Sequence, residues 1–304
     1  ANGFRTLLNK GDEVIISEME HHSNIVPWQM CCEQSGANLK VIPLLDNGSL
    51  DMSAFENLLS ENTKLVAVSH VSNALGTINP IEEITQKAHA VGAKVLIDGA
   101  QAASHIVLDM QKLNPDFYCF SAHKMFGPTG VGVLYGKEEM LNELPPYQGG
   151  GEMIKEVSFE KTTYACLPHK FEAGTPNIAG VIAFKAAIDF INDLEIDQIA
   201  KYEEELLQYA TTEILKIEGV KIYGTAKHKS GIISFNINSL HPYDIGMIVD
   251  KMGVAIRTGH HCTQPIMKRF NIPGTARISI AVYNTKAEID TCINAIKKAK
   301  QMLS

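Results

Sequence analysis

The sequence has little of what marks disulfide-rich, membrane-spanning or nucleic-acid-binding proteins. Its six cysteines, at positions 31, 32, 119, 166, 262 and 292, are sparse and irregularly spaced. That spacing argues against a disulfide framework and predicts a reducing, cytoplasmic location. No apolar run approaches the ~20 residues that span a bilayer, so we expect no membrane association. Acidic side chains outnumber basic ones, 34 against 27, so we expect no basic face for nucleic acid.

The chain has the composition of a globular protein with a substantial core. Hydrophobic residues make up 45% of the 304 residues and charged residues 20%, which sets aside disorder, collagen and coiled coil. This length is enough for about two domains or one large one. We therefore expect a globular enzyme.

The first half of the chain alternates short β-rich runs with helical patterns. Such alternation predicts βαβ units and an α/β fold with a mostly parallel sheet that is covered on both faces. Pro80 suits the start of one helix, and Gly92 suits its end. The predicted strands are 14–16, 39–42, 65–68, 94–97, 117–120 and 130–135, and the predicted helices are 23–34, 51–60 and 80–90.

The character of the sequence changes after the three glycines at 149–151, where a loop-rich stretch runs to about Pro176. A smaller α+β domain is predicted beyond it. We place the larger domain at residues 1–190 and the smaller C-terminal domain at residues 191–304. The predicted elements of the second half are helices 178–192, 196–217 and 286–302, and strands 232–237, 254–257 and 276–281. The three glutamates at 203–205 are expected on a solvated helix face.

Two strands of the predicted sheet end in side chains that suit one kind of chemistry. Asp98 comes directly after the predicted strand 94–97, and Lys124 comes shortly after the predicted strand 117–120. Ligands bind beyond the carboxyl ends of parallel strands, so both side chains are expected in one crevice. A partly desolvated Lys can form a Schiff base with an aldehyde. A carboxylate facing a pyridine ring keeps its nitrogen protonated, which makes the ring an electron sink, so this pair fits pyridoxal phosphate.

Four segments carry a resemblance to a known family. Asp98-Gly-Ala-Gln101 and Ser121-Ala-His-Lys124 resemble the cofactor motifs of the class V, fold-type I pyridoxal-phosphate enzymes. Glu20 to Gln29 and Arg257-Thr-Gly-His-His-Cys262 are similar to the SUF-type (group II) cysteine desulfurases, whose relatives include selenocysteine lyases. The likeness runs in order over essentially the whole chain. It implies the large domain of the fold-type I transferases with a smaller C-terminal domain.

The resemblance assigns cofactor roles to individual residues. Lys124 is implied to form the Schiff base with pyridoxal phosphate, and Asp98 to pair with the pyridine nitrogen. Gln101 is implied to bind the ring hydroxyl. Ser121 and His123 are implied to bind the phosphate.

Three further residues complete this set by resemblance. His21 is implied to stack on the ring face and to assist proton transfer. Asn73 is implied to lie near the ring hydroxyl and the substrate. Thr175 belongs to a loop that is implied to reach the phosphate of the neighbouring subunit, so we expect a homodimer.

The resemblance also assigns the substrate and the sulfur-accepting thiol. Arg277 is implied to bind the α-carboxylate of L-cysteine, for which a guanidinium has the right geometry. Cys262 is implied to accept the sulfur as a persulfide, with Arg257 and His260 beside its loop. Alanine is the second product. The sulfur is expected to pass to an acceptor protein of the SUF system for iron–sulfur cluster assembly.

Several alternatives remain open at this stage. A selenocysteine lyase or another carbon–sulfur lyase of the same fold would carry most of the same residues. The paired histidines 21–22 and 260–261 suggest zinc, but no Cys-x-x-Cys or His-x-x-x-His completes a site, so we expect no metal. Family members carry roughly a hundred residues, a domain-sized stretch, before the position of Ala1, including a phosphate-binding turn. A truncated, inactive fragment that only binds a partner is therefore the third hypothesis.

Overall fold

The computed structural model describes residues 1–304. Its first sheet contains six strands: β1 Glu13–Ser17, β2 Asn38–Ile42, β3 Thr63–Ser69, β4 Lys94–Asp98, β5 Phe117–Ser121 and β6 Gly132–Gly136. They are ordered β2-β1-β3-β4-β5-β6, and every pair is parallel except β5 with β6. The prediction of an α/β fold with a mostly parallel sheet is therefore confirmed.

The connecting helices follow the start and stop signals in the sequence. They are α1 Val26–Ser35, α2 Met52–Leu58, α3 Ile81–Ala90, α4 Met110–Leu113 and α5 Glu138–Glu143. Pro80 lies immediately before α3, and Glu82 and Glu83 in its first turn oppose the positive end of the helix dipole. Gly92 takes a positive φ of 81° just beyond its end, a conformation that glycine adopts without a Cβ clash.

The centre of the first sheet is covered on both faces. Leu65, Val66, Ala67 and Val68 of β3 are all fully buried, as expected for a parallel strand between two helical layers. Parallel strands align their carboxyl ends, and Ser69 at the end of β3 pairs with Asp98 at the end of β4. Polar side chains from neighbouring strands therefore meet at one edge.

A second sheet forms in the C-terminal part of the chain. A small hairpin, β7 Ile154–Val157 and β8 Thr162–Tyr164, precedes it. The second sheet is antiparallel, with β9 Val220–Tyr223, β10 Ile232–Ile237, β11 Arg257–Gly259 and β12 Thr275–Ser279 in the order β11-β12-β10-β9. The helices of this part of the chain are α6 Ile178–Asp193, α7 Ile196–Leu215, α8 Pro242–Lys251, α9 Gln264–Arg269 and α10 Lys286–Leu303.

The C-terminal sheet has a core of its own. Ile233 and Phe235 of β10 are fully buried and pack in one cluster with apolar residues of α7, α8 and α10. Helix α10 begins with a capping box, in which Thr285 and Glu288 bind each other's backbone N–H groups. The predicted division at residues 190 and 191 falls within α6, and it stays a prediction.

Two local predictions were wrong. The strand expected at 254–257 begins only at Arg257, because pairing with β12 starts where Arg257 faces Arg277. Glu203, expected on a solvated face with its two neighbours, is 3% exposed and lies 2.7 Å from His105 Nδ1. Successive helical residues point about 100° apart, so three consecutive glutamates cannot share one face.

No helix is long and apolar enough to cross a bilayer.

Substitution Gly99→Ala should destabilise the fold, because a Cβ at Gly99 would overlap the fully buried ring of Tyr118. Overpacking of this kind costs about 2 kcal/mol or more of unfolding free energy. Denaturant unfolding measures the loss. Gly149→Ala is the control, since no atom lies within 4 Å of its added methyl group. Equal stability of the two variants would contradict the close packing described here.

Candidate active site

A cavity of about 200 Å³ opens at the carboxyl ends of β3, β4 and β5. Six of the residues predicted from sequence line it: His21, Asn73, Asp98, Gln101, Ser121 and Lys124. They come from four separate stretches of chain that the parallel topology brings to one edge. The location is the one where α/β sheets bind ligands.

Lys124 and Asp98 are the charged pair of this cavity. Burial lowers the pKa of Lys124, the positive charges of Arg277 and Arg257 lower it further, and Asp98 opposes both effects. Lys124 Nζ makes no hydrogen bond or ion pair with the protein, while the backbone carbonyl of Lys124 accepts a bond of 2.9 Å from Ser104 Oγ. Its backbone is thus fixed while its amine is free to react.

Asp98 is oriented by its own turn. One carboxylate oxygen accepts a hydrogen bond of 2.9 Å from the Ala100 backbone N–H, and the other has no protein partner. The side chains of Gln101 and Ser121 also line the cavity without a protein hydrogen bond. The cavity therefore presents an acceptor, an amide, a hydroxyl and an amine to whatever it binds.

His21 lies at the cavity wall with a fixed ring. Its Nδ1 lies 2.8 Å from Ser23 Oγ and accepts a bond of 3.1 Å from the Ser23 backbone N–H. Burial lowers the pKa of His21, and the nearby Lys124 charge adds to this effect. The ring is accordingly held neutral and in one orientation.

Asn73 connects the cavity to the second sheet. Its Nδ2 donates a bond of 2.7 Å to the His261 carbonyl, and its own carbonyl accepts a bond of 2.7 Å from Arg277 Nη1. Burial, together with the charge of Arg257, lowers the pKa of Arg277 to about 10. Arg277 Nε is buried without a partner. The guanidinium therefore retains an unused donor, as a carboxylate-binding arginine requires.

Cys262 lies in a turn between β11 and α9, with a thiol that is partly exposed. Arg257 Nη2 is 3.8 Å from Cys262 Sγ. The Cys262 backbone N–H donates a bond of 3.2 Å to His260 Nδ1. The structure thus places the predicted thiol beside both of the side chains that the sequence paired with it.

Six predicted residues do not line the cavity: Arg257, His260, Cys262 and Arg277 in the second sheet and its turn, and His123 and Thr175. His123 is exposed in the short turn Ala122–Lys124, and Thr175 is exposed before α6. Their phosphate-binding roles stay predictions, and that of Thr175 concerns a neighbouring subunit.

Several residues of the site were missed by the sequence analysis. Ser69 and Cys119 line the cavity. Ser69 ends β3, where the same positional rule would have flagged it, whereas Cys119 lies in the middle of β5 and pairs with Asp98. Burial and Asp98 raise the pKa of Cys119 to about 12, so it remains a thiol. Glu20, directly before His21, is also part of the structure around the site.

Glu20 is fully buried and supports the segment that carries His21. It accepts hydrogen bonds from Ser17 Oγ, from the Ser69 backbone N–H at 3.0 Å and from Asn24 Nδ2 at 2.7 Å. Asn24 in turn accepts the indole N–H of Trp28 at 2.9 Å. This chain of bonds ties β1, β3 and α1 together beneath the cavity.

A larger cavity of about 950 Å³ lies elsewhere, with a mainly apolar lining that includes Phe4, Trp28 and Leu134. None of the predicted site residues lines it. No cluster of three or more His, Cys, Asp or Glu side chains is arranged to hold a metal ion. The convergent polar groups of the smaller cavity make it the candidate active site.

Comparison with known proteins places the chain in a family. The model of the aminotransferase class-V family matches residues 1–292. The chain belongs to this family. A cysteine desulfurase of Dickeya dadantii is 48% identical over 305 aligned positions, which cover 100% of this chain and 74% of that protein. A probable cysteine desulfurase of Halalkalibacterium halodurans is 48% identical, over 98% of this chain and 73% of the relative.

Solved structures of class-V relatives share the whole fold. The crystal structure of an Escherichia coli cysteine desulfurase in its S-sulfonic acid form superposes with a TM-score of 0.96 at 38% identity, covering 99% of this chain and 75% of that one. The apo structure of a cysteine desulfurase from Thermococcus onnurineus superposes with a TM-score of 0.95 at 38% identity, covering 99% of this chain and 76% of that one. The matched regions contain both sheets.

Substitution Glu20→Gln should make stability less dependent on pH. Burial raises the pKa of Glu20 from 4.5 to about 7 against the opposing effect of its hydrogen bonds. The folded chain therefore binds more protons than the unfolded one between these values, and stability falls as pH rises through that window. Relative to the wild type, the variant should gain about 3 kcal/mol of unfolding free energy between pH 4 and pH 8.

Denaturant unfolding at a series of pH values measures this gain. The control is Glu33→Gln, since Glu33 is exposed on α1. Replacing Glu20 also disturbs its hydrogen bond with Asn24, which lowers the unfolding free energy by an amount that does not depend on pH. Comparing the slopes of unfolding free energy against pH removes this contribution. Parallel pH profiles for Glu20→Gln and the wild type would show that Glu20 does not titrate in this range.

Proposed function

We propose that this chain is a pyridoxal-phosphate-dependent cysteine desulfurase, which converts L-cysteine to L-alanine and leaves the sulfur as a persulfide on Cys262. One observation carries the proposal: Asn73 joins a cavity containing Lys124 and Asp98 to both Arg277 and the Cys262 turn. Curated relatives at 48% identity are cysteine desulfurases. The substrate, the cofactor and the thiol acceptor then each have a matching group in one place.

The donor set of the cavity fits pyridoxal phosphate. A free amine, an unpaired carboxylate oxygen, an amide and a hydroxyl face the same space. When bound, the cofactor supplies an aldehyde for amines and a protonated pyridine ring that withdraws electrons from the substrate Cα. Lys124 would hold the cofactor covalently. Asp98 would pair with its ring nitrogen, and Gln101 and Ser121 would bind its polar substituents.

The residues of the chain divide the remaining work. Burial lowers the pKa of Lys124, so its amine loses a proton more readily than that of a free lysine and is suited to take a proton from Cα. His21 accepts the Ser23 backbone N–H at Nδ1, so its neutral ring carries a proton on Nε2 and can donate it there. Arg277 binds the substrate carboxylate, and this binding fixes the direction in which Cβ and its sulfur point.

Cys262 receives the sulfur. Its thiolate attacks the sulfur of the bound substrate, a new S–S bond forms, and the Cβ–S bond breaks with its electron pair remaining on carbon. A proton then completes the methyl group of alanine. Arg257 Nη2 lies 3.8 Å from Sγ, beside the attacking atom. One cysteine and one thiol thus give one alanine and one persulfide.

The proposal extends to partners and location. The persulfide passes to an acceptor protein of the SUF type for iron–sulfur cluster assembly, in a reducing cytoplasm that suits six free cysteines. The chain acts as a homodimer, supported by exposed apolar side chains on α6 beside Thr175: Ile178, Val181, Ile182 and Phe190. Apolar surface of this kind is typical of protein interfaces.

A selenocysteine lyase is the second candidate function. Nearly all of the described site would serve L-selenocysteine equally, since the two substrates differ only in the chalcogen. The turn that presents Cys262 beside Arg257 favours the desulfurase, because a thiol acceptor is needed for sulfur.

Mixing the purified chain with pyridoxal phosphate should give a visible absorption band that changes on addition of L-cysteine. With dithiothreitol present to release the persulfide sulfur, sulfide and alanine should appear in equal amounts. Lys124→Ala should lose the cofactor band and at least about 1,000-fold in rate, since the amine acts in both binding and proton transfer. A Lys124→Ala chain with full activity would refute the proposed chemistry.

Replacing Cys262 with serine should separate the two candidate functions. Cys262→Ser should abolish alanine formation from cysteine while keeping the cofactor band, because only the sulfur acceptor is removed. Selenide release from selenocysteine should persist. The control is Cys166→Ser at an exposed cysteine outside the site. Undiminished alanine formation in Cys262→Ser would rule out the persulfide route.

A further inference from the structure

The turn that carries Cys262 has an unfavourable backbone conformation. His261 and Cys262 adopt positive φ values of 53° and 59° in succession. The left-handed region is sterically costly for residues with a Cβ, and two such residues in a row need external support. The identity of the supporting groups therefore decides where the thiol lies.

His22 makes two of the contacts that fix this turn. Its backbone N–H donates a bond of 2.8 Å to the Cys262 carbonyl. Its side-chain Nε2 accepts a bond of 3.1 Å from the backbone N–H of Gln264. The two bonds reach the backbone on both sides of Thr263, so His22 contacts both the end of the turn and the start of helix α9.

The Gln264 contact requires a particular form of the imidazole. A backbone N–H can only donate, so Nε2 must be the unprotonated ring nitrogen. Gln264 is the first residue of α9, where backbone N–H groups lack partners within the helix. The imidazole thus supplies an acceptor that the helix cannot provide for itself.

His22 is itself fixed by its neighbours. It begins the short turn His22–Asn24, which precedes α1 and leads from the His21 side of the cavity. Its ring centroid lies 5.7 Å from that of His260, whose Nδ1 accepts the Cys262 backbone N–H. Adjacent histidines therefore face different parts of the site, His21 the cavity and His22 the thiol turn.

We propose that His22 is a positioning residue, which through Nε2 holds the Gln264 end of the Cys262 turn and so sets the thiol's approach to the substrate sulfur. This role rests on the proposed function only in its consequence for sulfur transfer. The support of the turn itself is a property of the chain that needs neither cofactor nor substrate.

A matched pair of substitutions isolates the Nε2 contact. His22→Gln carries its side-chain oxygen near the position of Nε2, so it keeps the acceptor. His22→Asn carries its oxygen near the position of Nδ1 and loses the contact, while both variants retain the backbone bond to Cys262. Gln264→Pro removes the donor instead, and proline is tolerated in the first turn of a helix.

Two measurements on the cofactor-free chain test the support directly. Hydrogen exchange of the Gln264 amide should be at least tenfold faster in His22→Asn than in the wild type, with His22→Gln near the wild type. Iodoacetamide alkylation of Cys262, scaled to that of exposed Cys166, should change at least threefold in His22→Asn and in Gln264→Pro. Their combination should change the rate no further.

The cofactor-loaded chain tests the consequence for sulfur transfer. In His22→Asn the visible band and the KM for cysteine should be kept, while the kcat for persulfide formation on Cys262 falls at least tenfold. Rescue by His22→Gln excludes a loss of folding as the cause. Wild-type exchange and alkylation in His22→Asn would overturn the proposal. If His22→Asn alters exchange and alkylation but the wild-type chain forms no persulfide, the positioning role of His22 stands and only the proposed function is refuted.

Discussion

The hydrogen bonds of Asn73 connect everything that the site needs. The side chain binds the carbonyl of His261 and thereby locates the Cys262 turn, while the main-chain carbonyl receives Arg277. Asn73 is buried, so these hydrogen bonds are shielded from solvent. Losing one of them would leave a buried polar group without a partner, which costs folding free energy. The cavity edge of the first sheet and the functional turn of the second are therefore held as one unit.

The electrostatics of the site follow from this arrangement. Burial and the charges of Arg277 and Arg257 lower the pKa of Lys124, and burial and Arg257 lower the pKa of Arg277. Asp98 supplies the main opposing charge on Lys124. A positively charged, partly desolvated space suits an anionic cofactor and an amino-acid carboxylate, and it keeps an amine ready to act as a base. Beneath it, buried Glu20 fixes the segment that carries His21.

Much of the fold and part of the site could be predicted from the sequence because their signals are local. The strands of the first sheet were read from short apolar runs, and Asp98 and Lys124 from their positions at strand ends. Glu203 was misplaced because burial on a long helix depends on what packs against it, here His105. The same limit hid Glu20, whose hydrogen-bond partners are Ser69 at the end of β3 and, nearby along the chain, Ser17 and Asn24.

The sequence by itself determined the mostly parallel first sheet, the positions of Asp98 and Lys124 near strand ends and the residue types that suit pyridine-ring chemistry, since these depend on periodicity and on side-chain identity. Only the tertiary structure decided which groups meet. Asn73 and His261 are 188 positions apart, and His22 and Gln264 are 242 apart. Contacts over such separations leave no local pattern, because they form only when two independently built sheets pack together.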